Sequence, residues 1–546
     1  MNDPSDSRDK TEKSIDEAKK EEAMKKIVGG GSALMIFGLL GGLIGWAFNA
    51  IFSRSDIGVG PSLFAVIASC VAFASGLAWV SAGFHNAISK YVSAALVTSK
   101  ENASKYASAG SFIMNCFGAI ILGIFMIIGI LFFSINYFFT IIFFVSGISL
   151  YFLFIRDIYI GNLGGLQRFD KIGFIMFANV FGIVISIIGW LFFQLPLNII
   201  LIAAGGLIFG NFIQMLIARY FFNKESMYRF KLFDTSNKPE RIEILKYGLY
   251  CAVPMLVLMG TIYSISSIYY TFFLGANSEL VAVYGMLVGY SSIMGSSVAF
   301  GWPQVPAISE AKEKKDDEMI NHVVRNAFKM GFNFSMFFLC LYASMAYSMM
   351  LMFHGPEYVI GTVPLIIHSL AVVFIGLDFL ACTVLIGIGE GKKAGIIIAI
   401  LSLSVLIAVP ILIPIIPQNM VLLVGPFTLL IVAIALFPIC YNYLLKHTTN
   451  PSSMYVNILW KSGVSAGLSI TISWTIQFFF LPGYESFLHF VGAAAIGLGL
   501  FVVFMLLLGG FDDEDFKMVE GIPLMKPLAN ALKKINKKSP FYSKAS

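Results

Sequence analysis

Eight hydrogen-bonding or charged residues lie within or at the ends of long apolar runs: Asn49, Arg54, His85, Asn86, Lys90, Trp302, Gln304 and Asp378. Cations and amides at the ends of such runs can hold a phosphate or a hydrated sugar. A carboxylate inside one can carry a proton or Na+. No catalytic or metal-ligating set accompanies them, because Cys70, Cys116, Cys251, Cys340, Cys382 and Cys440 sit singly in apolar runs, with no CxxC or His/Cys spacing. Gly387 to Lys393 fails the phosphate-loop register at Ile386 and Lys393 and has no strand before it, so it reads as a turn between helices. The chemistry open to these residues is recognition and ion handling, and no covalent step is required of them.

Each residue carries two readings. Arg54 ends the first apolar run beside Asp56, where it either receives a phosphate or anchors the helix at the interface. Asn86 and Lys90, spaced i, i+4, share a helix face, whereas His85 lies about 140° from Lys90. Lys90 is either a phosphate contact or an ordinary cytoplasmic cation, and an ion pair with Glu310 would close a gate there. Asp378, ten residues after His368, either couples H+ or Na+ movement to the protein's work or makes a packing contact. Arg156 and Asp157 read as an interface pair ending the fourth run.

The elements that must position these residues follow from composition. The 546 residues are 58% hydrophobic and only 12% charged, with a formal net charge of +6 and a mean hydropathy of +0.82. Soluble domains carry about 45–50% apolar and about 25% charged residues, so lipid is the solvent, and the scattered charge does not suit nucleic acid. Continuous apolar runs of about 20 residues are helices rather than barrel strands. Fourteen are expected, among them Ile27–Phe52, Ser62–Ala87, Ala107–Phe133, Ile135–Ile155, Tyr247–Leu274, Leu280–Gln304 and, last, Ser486–Leu508. With fourteen alternating spans, every Lys and Arg except Arg54 falls on one side. The positive-inside rule then places both termini in the cytoplasm of a multi-pass plasma membrane protein. The short external loops leave no room for an outward catalytic domain.

A gap-free offset of 220 superposes Lys26 on Lys246, Ala107 on Ala327 and Ala87-Ile88-Ser89-Lys90 on Ala307-Ile308-Ser309-Glu310. The expected fold is therefore all-α and polytopic, with two six-helix lobes and two extra C-terminal helices. Its divisions are a polar arm at 1–26, lobes at 27–245 and 246–457, the extra pair at 458–509, and a basic tail at 510–546. Repeats that start on the same side are related by an axis along the membrane normal, which suits two lobes rocking about a central cleft. Spans one, two, seven and eight would line it. The tail, with Leu524, Leu528, Leu532 and Ile535 at helical spacing among lysines, is expected to lie on the cytoplasmic leaflet or to dock a partner enzyme.

Several short motifs carry a family resemblance. They are Arg54-Ser55-Asp56-Ile57-Gly58-Val59-Gly60-Pro61 with Phe64, Ile88-Ser89-Lys90-Tyr91-Val92, Lys246-Tyr247-Gly248-Leu249, Pro306-Ala307-Ile308-Ser309-Glu310-Ala311, Phe353-His354-Gly355-Pro356-Glu357-Tyr358 and Gly389-Glu390-Gly391-Lys392. In order and spacing the chain resembles the polysaccharide transporter branch of the multidrug/oligosaccharidyl-lipid/polysaccharide exporter superfamily, with Lys90 where that branch has arginine. The resemblance implies a non-enzyme that flips a polyprenyl-linked oligosaccharide from the cytoplasmic to the external leaflet by alternating access. It implies no cofactor beyond an H+ or Na+ gradient or the membrane potential. The implied partners are the lipid-linked glycan, membrane lipids and glycan-assembly enzymes at the cytoplasmic face. A cation-coupled multidrug-type exporter of the same fold is the alternative, and a membrane scaffold without transport is a third.

Overall fold

A computed structural model describes residues 36–540, apart from 39, 46, 57, 193–201, 203–204, 259–260, 296–300, 482, 484–485, 513–514 and 517–525. The arm at 1–26 lies outside the described residues. Helices account for the ordered structure: α1 (Ile36–Ser53), α2 (Gly60–Thr98), α3 (Lys100–Phe132), α4 (Tyr137–Gly165), α5 (Phe169–Phe177), α6 (Val180–Phe192) and α7 (Gly210–Glu225) form the first half. The second half contains α8 (Lys238–Leu258), α9 (Thr261–Leu274), α10 (Glu279–Gly295), α11 (Gly301–Glu313), α12 (Asp317–Met349), α13 (Thr362–Gly387), α14 (Gly391–Leu412) and α15 (Val424–His447). Then come α16 (Ser452–Phe480), α17 (Phe487–Leu507) and the tail helix α18 (Lys526–Asn536).

Among the described residues, 12 helical segments are long and apolar enough to cross a membrane. Helix length and hydropathy thus make the chain a multi-pass membrane protein. The other two expected spans, Tyr247–Leu274 and Leu280–Gln304, fall on the pairs α8/α9 and α10/α11, with residues 259–260 and 296–300 outside the described residues.

Span ends differ from the hydropathy edges. α2 runs eleven residues past Ala87, and its 39 residues would measure about 58 Å at 1.5 Å per residue, nearly twice a hydrocarbon core of about 30 Å. The expected loop at 88–106 is helical except at Ser99, whose Oγ accepts from the Asn102 amide at 3.1 Å and so starts α3. Charged residues end an apolar run without ending a helix. α4 likewise continues ten residues beyond Ile155.

The first half is built on α4, which packs along α2, α3 and α7; the second on α13, which packs along α12 and α15 and touches α11 and α14. α16 and α17 pack on each other and against α12. The two halves meet chiefly along α2, which lies against α8, α9, α10 and α11. The Gly387–Lys393 segment is a turn between α13 and α14, with Gly389 at φ +89°.

Candidate functional site

The seam between the halves is an antiparallel line of α2 against α8 and α9. Small residues let the backbones approach: a Cβ on Gly83 would stand 2.1 Å from the Ala252 Cα, and one on Gly285 2.5 Å from the Ala68 Cβ. Between these contacts, Ser75 Oγ lies 2.7 Å from Ser264 Oγ, and Ser69 Oγ 3.0 Å from Thr271 Oγ1. Hydroxyl pairs spanning two halves satisfy one another while the seam is shut and are free to take water or a ligand when it parts.

At the cation-rich end, Lys90 turns into this seam. Its Nζ lies 3.6 Å from the Tyr247 ring centre and 5.0 Å from that of Tyr91, a cation–π arrangement that holds a half-desolvated ammonium without a carboxylate. Tyr247 Oη donates to Ile386 O at 2.5 Å, and Tyr91 stacks on Tyr106, which donates to Glu243 at 2.9 Å. The expected Lys90–Glu310 pair does not form. Glu310 accepts from Gln167 at 2.6 Å, across the halves, and pairs with Lys314.

At the opposite end, Arg54 binds Asp56 through Nε and Nη2 at 2.7 and 2.6 Å and donates from Nη1 to Met352 O at 2.9 Å. The bidentate bond to Asp56 raises its already high pKa, so the guanidinium stays charged. Ser55 donates to Glu357 at 3.1 Å. Both roles weighed for Arg54 thus meet a third: it ties the end of α1 to the turn after α12. The imidazole of His354 completes this end, 2.8 Å from Ser53 Oγ and 2.5 Å from Tyr290 Oη.

The remaining sequence candidates lie on α1 and α11. Asn49 Nδ2 lies 3.5 Å from the position of a Cβ on Gly289, between α1 and α10. Gln304 is buried on α11. Trp302 is in α11, with its side chain outside what the structure describes.

His85 and Asn86 turn instead into the first half. Asp157, fully buried, accepts from Arg156 Nε at 2.8 Å and from Ser81 Oγ at 2.6 Å, and its Oδ2 lies 3.7 Å from His85 Nδ1. Arg156 Nη1 reaches Gln214 at 2.6 Å and Asn211 at 3.1 Å; Asn211 and Gln214 donate onward to Ser149 and Met176 O. Asn86 Nδ2 donates to Ala82 O at 2.8 Å. The expected interface pair Arg156/Asp157 is therefore corrected: α4 continues past the hydropathy edge, and α2 and α7 enclose the pair.

Asp378 is fully buried in α13, and neither carboxylate oxygen has a hydrogen-bond partner among the described residues. Its neighbour is the Cys440 thiol of α15. Among the described residues, no cluster of three or more His, Cys, Asp or Glu side chains could hold a metal ion.

Sequence reasoning missed His354, Tyr290 and Tyr247 as members of the two closed ends. It also missed Asn211 and Gln214, whose i, i+3 spacing in an apolar helix was the available signal.

This arrangement, two helical halves meeting along a closed polar seam, has counterparts of known structure. A lipid II flippase, MurJ, in an inward closed conformation matches at 17% identity over 87% of this chain and 98% of that one, with a TM-score of 0.56. A MATE protein in complex with MaL6 matches at 17% identity over 78% of this chain and 98% of that one, with a TM-score of 0.60. An outward-facing multidrug resistance MATE family transporter of the MOP superfamily matches at 17% identity over 78% and 95%, with a TM-score of 0.58. No protein-family profile and no curated protein matches the sequence. The chain shares its fold with these proteins, among them a flippase and a multidrug transporter.

Proposed function

We propose that this protein is a flippase that carries a polyprenyl-linked oligosaccharide from the cytoplasmic to the external leaflet by alternating access across the α2 seam. The observation that carries this reading is Lys90, a cation held at the cytoplasmic end of the seam by tyrosine rings and no carboxylate. When the seam parts, that ammonium becomes available to a pyrophosphate, whose entry into the bilayer otherwise costs its hydration. The lipid tail stays in the membrane beside the lobes. The cation asymmetry supports cytoplasmic termini, and glycan-assembly enzymes at that face are the natural suppliers of substrate. The lipid II flippase covers more of this chain, 87% against 78% for the MATE structures, which supports the lipid-linked branch. The higher TM-score of 0.60 with a MATE protein favours a cation-coupled multidrug-type exporter as the second reading.

Asp378 is the proposed coupling group. It is a fully buried carboxyl beside the Cys440 thiol, a setting that suits proton uptake. The test uses proteoliposomes carrying a fluorescent polyprenyl-pyrophosphate sugar, with wild type, Arg54→Ala, Lys90→Ala and Asp378→Asn. Protein-dependent leaflet exposure that falls about tenfold or more in Lys90→Ala is expected; a 1.4 kcal/mol contact is worth that factor. Exposure equal to empty liposomes, with a cationic dye moved instead, would replace this reading by the exporter.

A further inference from the structure

We propose that His354 is a proton-binding latch that joins the two halves at their external end when neutral and releases them when protonated. The inference rests on the alternating-access reading and adds the group that gates the external side.

His354 is fully buried at the end of the π-turn Met350–His354 that extends α12. Gly355 follows at φ +111°, a conformation that favours glycine and that turns the chain sharply into the 3-10 turn Pro356–Gly361. The imidazole is thereby aimed at α1. Ser53 Oγ donates to Ala50 O at 3.4 Å, so toward the ring it accepts, and Nδ1 carries the proton across 2.8 Å. Nε2 then accepts from Tyr290 Oη at 2.5 Å. This pattern assigns a neutral ring with both nitrogens used. It is braced by Tyr358, which donates to Ser53 O at 3.3 Å, and by Tyr342, which donates to Tyr290 O at 3.1 Å. One ring thus connects α1 of the first half with α10, α12 and the turn before α13 of the second.

Protonation reverses one bond and adds a charge. Nε2 becomes a donor facing a hydroxyl that was donating to it, so Tyr290 Oη must turn to accept. The new cation is fully buried, near the Arg54 guanidinium, which bonds Met352 O two residues away.

The charged and titratable groups around the ring offer it no direct counter-ion. From the α1 side come Arg54 and Asp56, already paired. Glu357, on the following turn, accepts from Ser55. Tyr358 lies 5.4 Å away ring to ring, with Glu279 of α10 beyond it. Tyr290 and Tyr342 complete the set. Among the described residues, none of the ion pairs includes His354. A buried cation without a carboxylate is driven toward water, and here the way to water is separation of α1 from the α12 end. Imidazole is the side chain that switches charge between about pH 5 and 8.

The experiment uses full-length protein in nanodiscs, without substrate. Spin labels are placed at Ile135→Cys and Ile360→Cys, exposed positions on the two halves at the external end, in a Cys116→Ser background. The expected result is a long-distance population that grows as pH falls below about 6, where an imidazole released to water takes its proton, abolished in His354→Gln. In Tyr290→Phe, which removes the donor to neutral Nε2, the same opening shifts to higher pH. A distance distribution unchanged by pH in wild type would overturn the latch. So would equal pH dependence in His354→Gln, or an unshifted midpoint in Tyr290→Phe if the glutamine variant does not fold. Because no substrate is present, failure of the flippase assay leaves this measurement intact, and the reverse also holds.

Discussion

The Lys90 ammonium of the first half lies 3.6 Å from the centre of the Tyr247 ring of the second. The contact replaces an ion pair with an attraction worth about 0.5–2 kcal/mol, strong enough to favour closure and weak enough to break in each cycle. Replacing Tyr247 by leucine removes both this attraction and the hydroxyl bond to Ile386 O. The expected outcome is a larger cytoplasmically open population. A cysteine at Ala87, buried one turn before Lys90, would react severalfold faster with a membrane-impermeant maleimide in the Tyr247→Leu protein than in one that keeps Tyr247. Equal rates would show that the ring does not hold this end shut.

The Arg156–Asp157 pair is enclosed by α2, α4 and α7 and makes bonds to Ser81, Asn211 and Gln214. Removing one partner strands the other charge, so Asp157→Leu and Arg156→Met are each expected to cost about 3–5 kcal/mol. The double variant Arg156→Met/Asp157→Leu should recover much of that loss. Thermal unfolding of the four proteins in one detergent measures the coupling. Additive losses in the double variant would count against a mutually dependent pair.

Asp378→Asn is expected to unfold within about 1 kcal/mol of wild type, because the amide matches the volume of a carboxyl that makes no hydrogen bond among the described residues. The same substitution should remove the dependence of transport on an imposed proton gradient. A transport rate that still rises with the gradient in Asp378→Asn would transfer coupling to another group.

The segment after α17 is clasped to the second half by Lys329, which lies 2.9 Å from Asp515 and also pairs with Asp512. Burial and the neighbouring Asp512 charge push Asp515 up to about 6, despite Lys329, whereas Lys329 draws Asp512 below its ordinary value. Asp515 binds its proton more tightly when docked than when free, where carboxylates titrate near about 3.9. Its contribution to docking is therefore present at low pH and is lost as pH rises through about 6. The tail helix, held by Asn536 on Phe511 O and Ser539 on Leu507 O, should be cut faster by protease above that pH. Asp515→Asn should flatten this dependence once the protease's own pH profile is divided out.

Much of the helical framework was legible as uninterrupted hydropathy, because a span in lipid must be apolar and internally hydrogen-bonded. Helix ends were not. Lys90, Lys100 and Lys105 end or interrupt apolar patterning, yet all three lie in helices, since charged side chains outside hydrocarbon are compatible with helix. The site was legible as a set of polar residues, but not as contacts. His85 and Asp157 are 72 positions apart in sequence, and only the packing of α2 on α4 brings them together. His354 was read within a turn motif, because the residues that use its two nitrogens, Ser53 and Tyr290, are distant in the chain.

The parting of the α2 seam is tested most directly by a reversible lock. Ser75→Cys and Ser264→Cys replace hydroxyls 2.7 Å apart, so oxidation should join the halves in the closed state. The account predicts that leaflet exposure of the polyprenyl-pyrophosphate sugar stops on oxidation and returns on reduction, while each single cysteine protein is unaffected. Undiminished exposure with the disulfide fully formed would contradict it, because substrate would then be crossing without the seam opening.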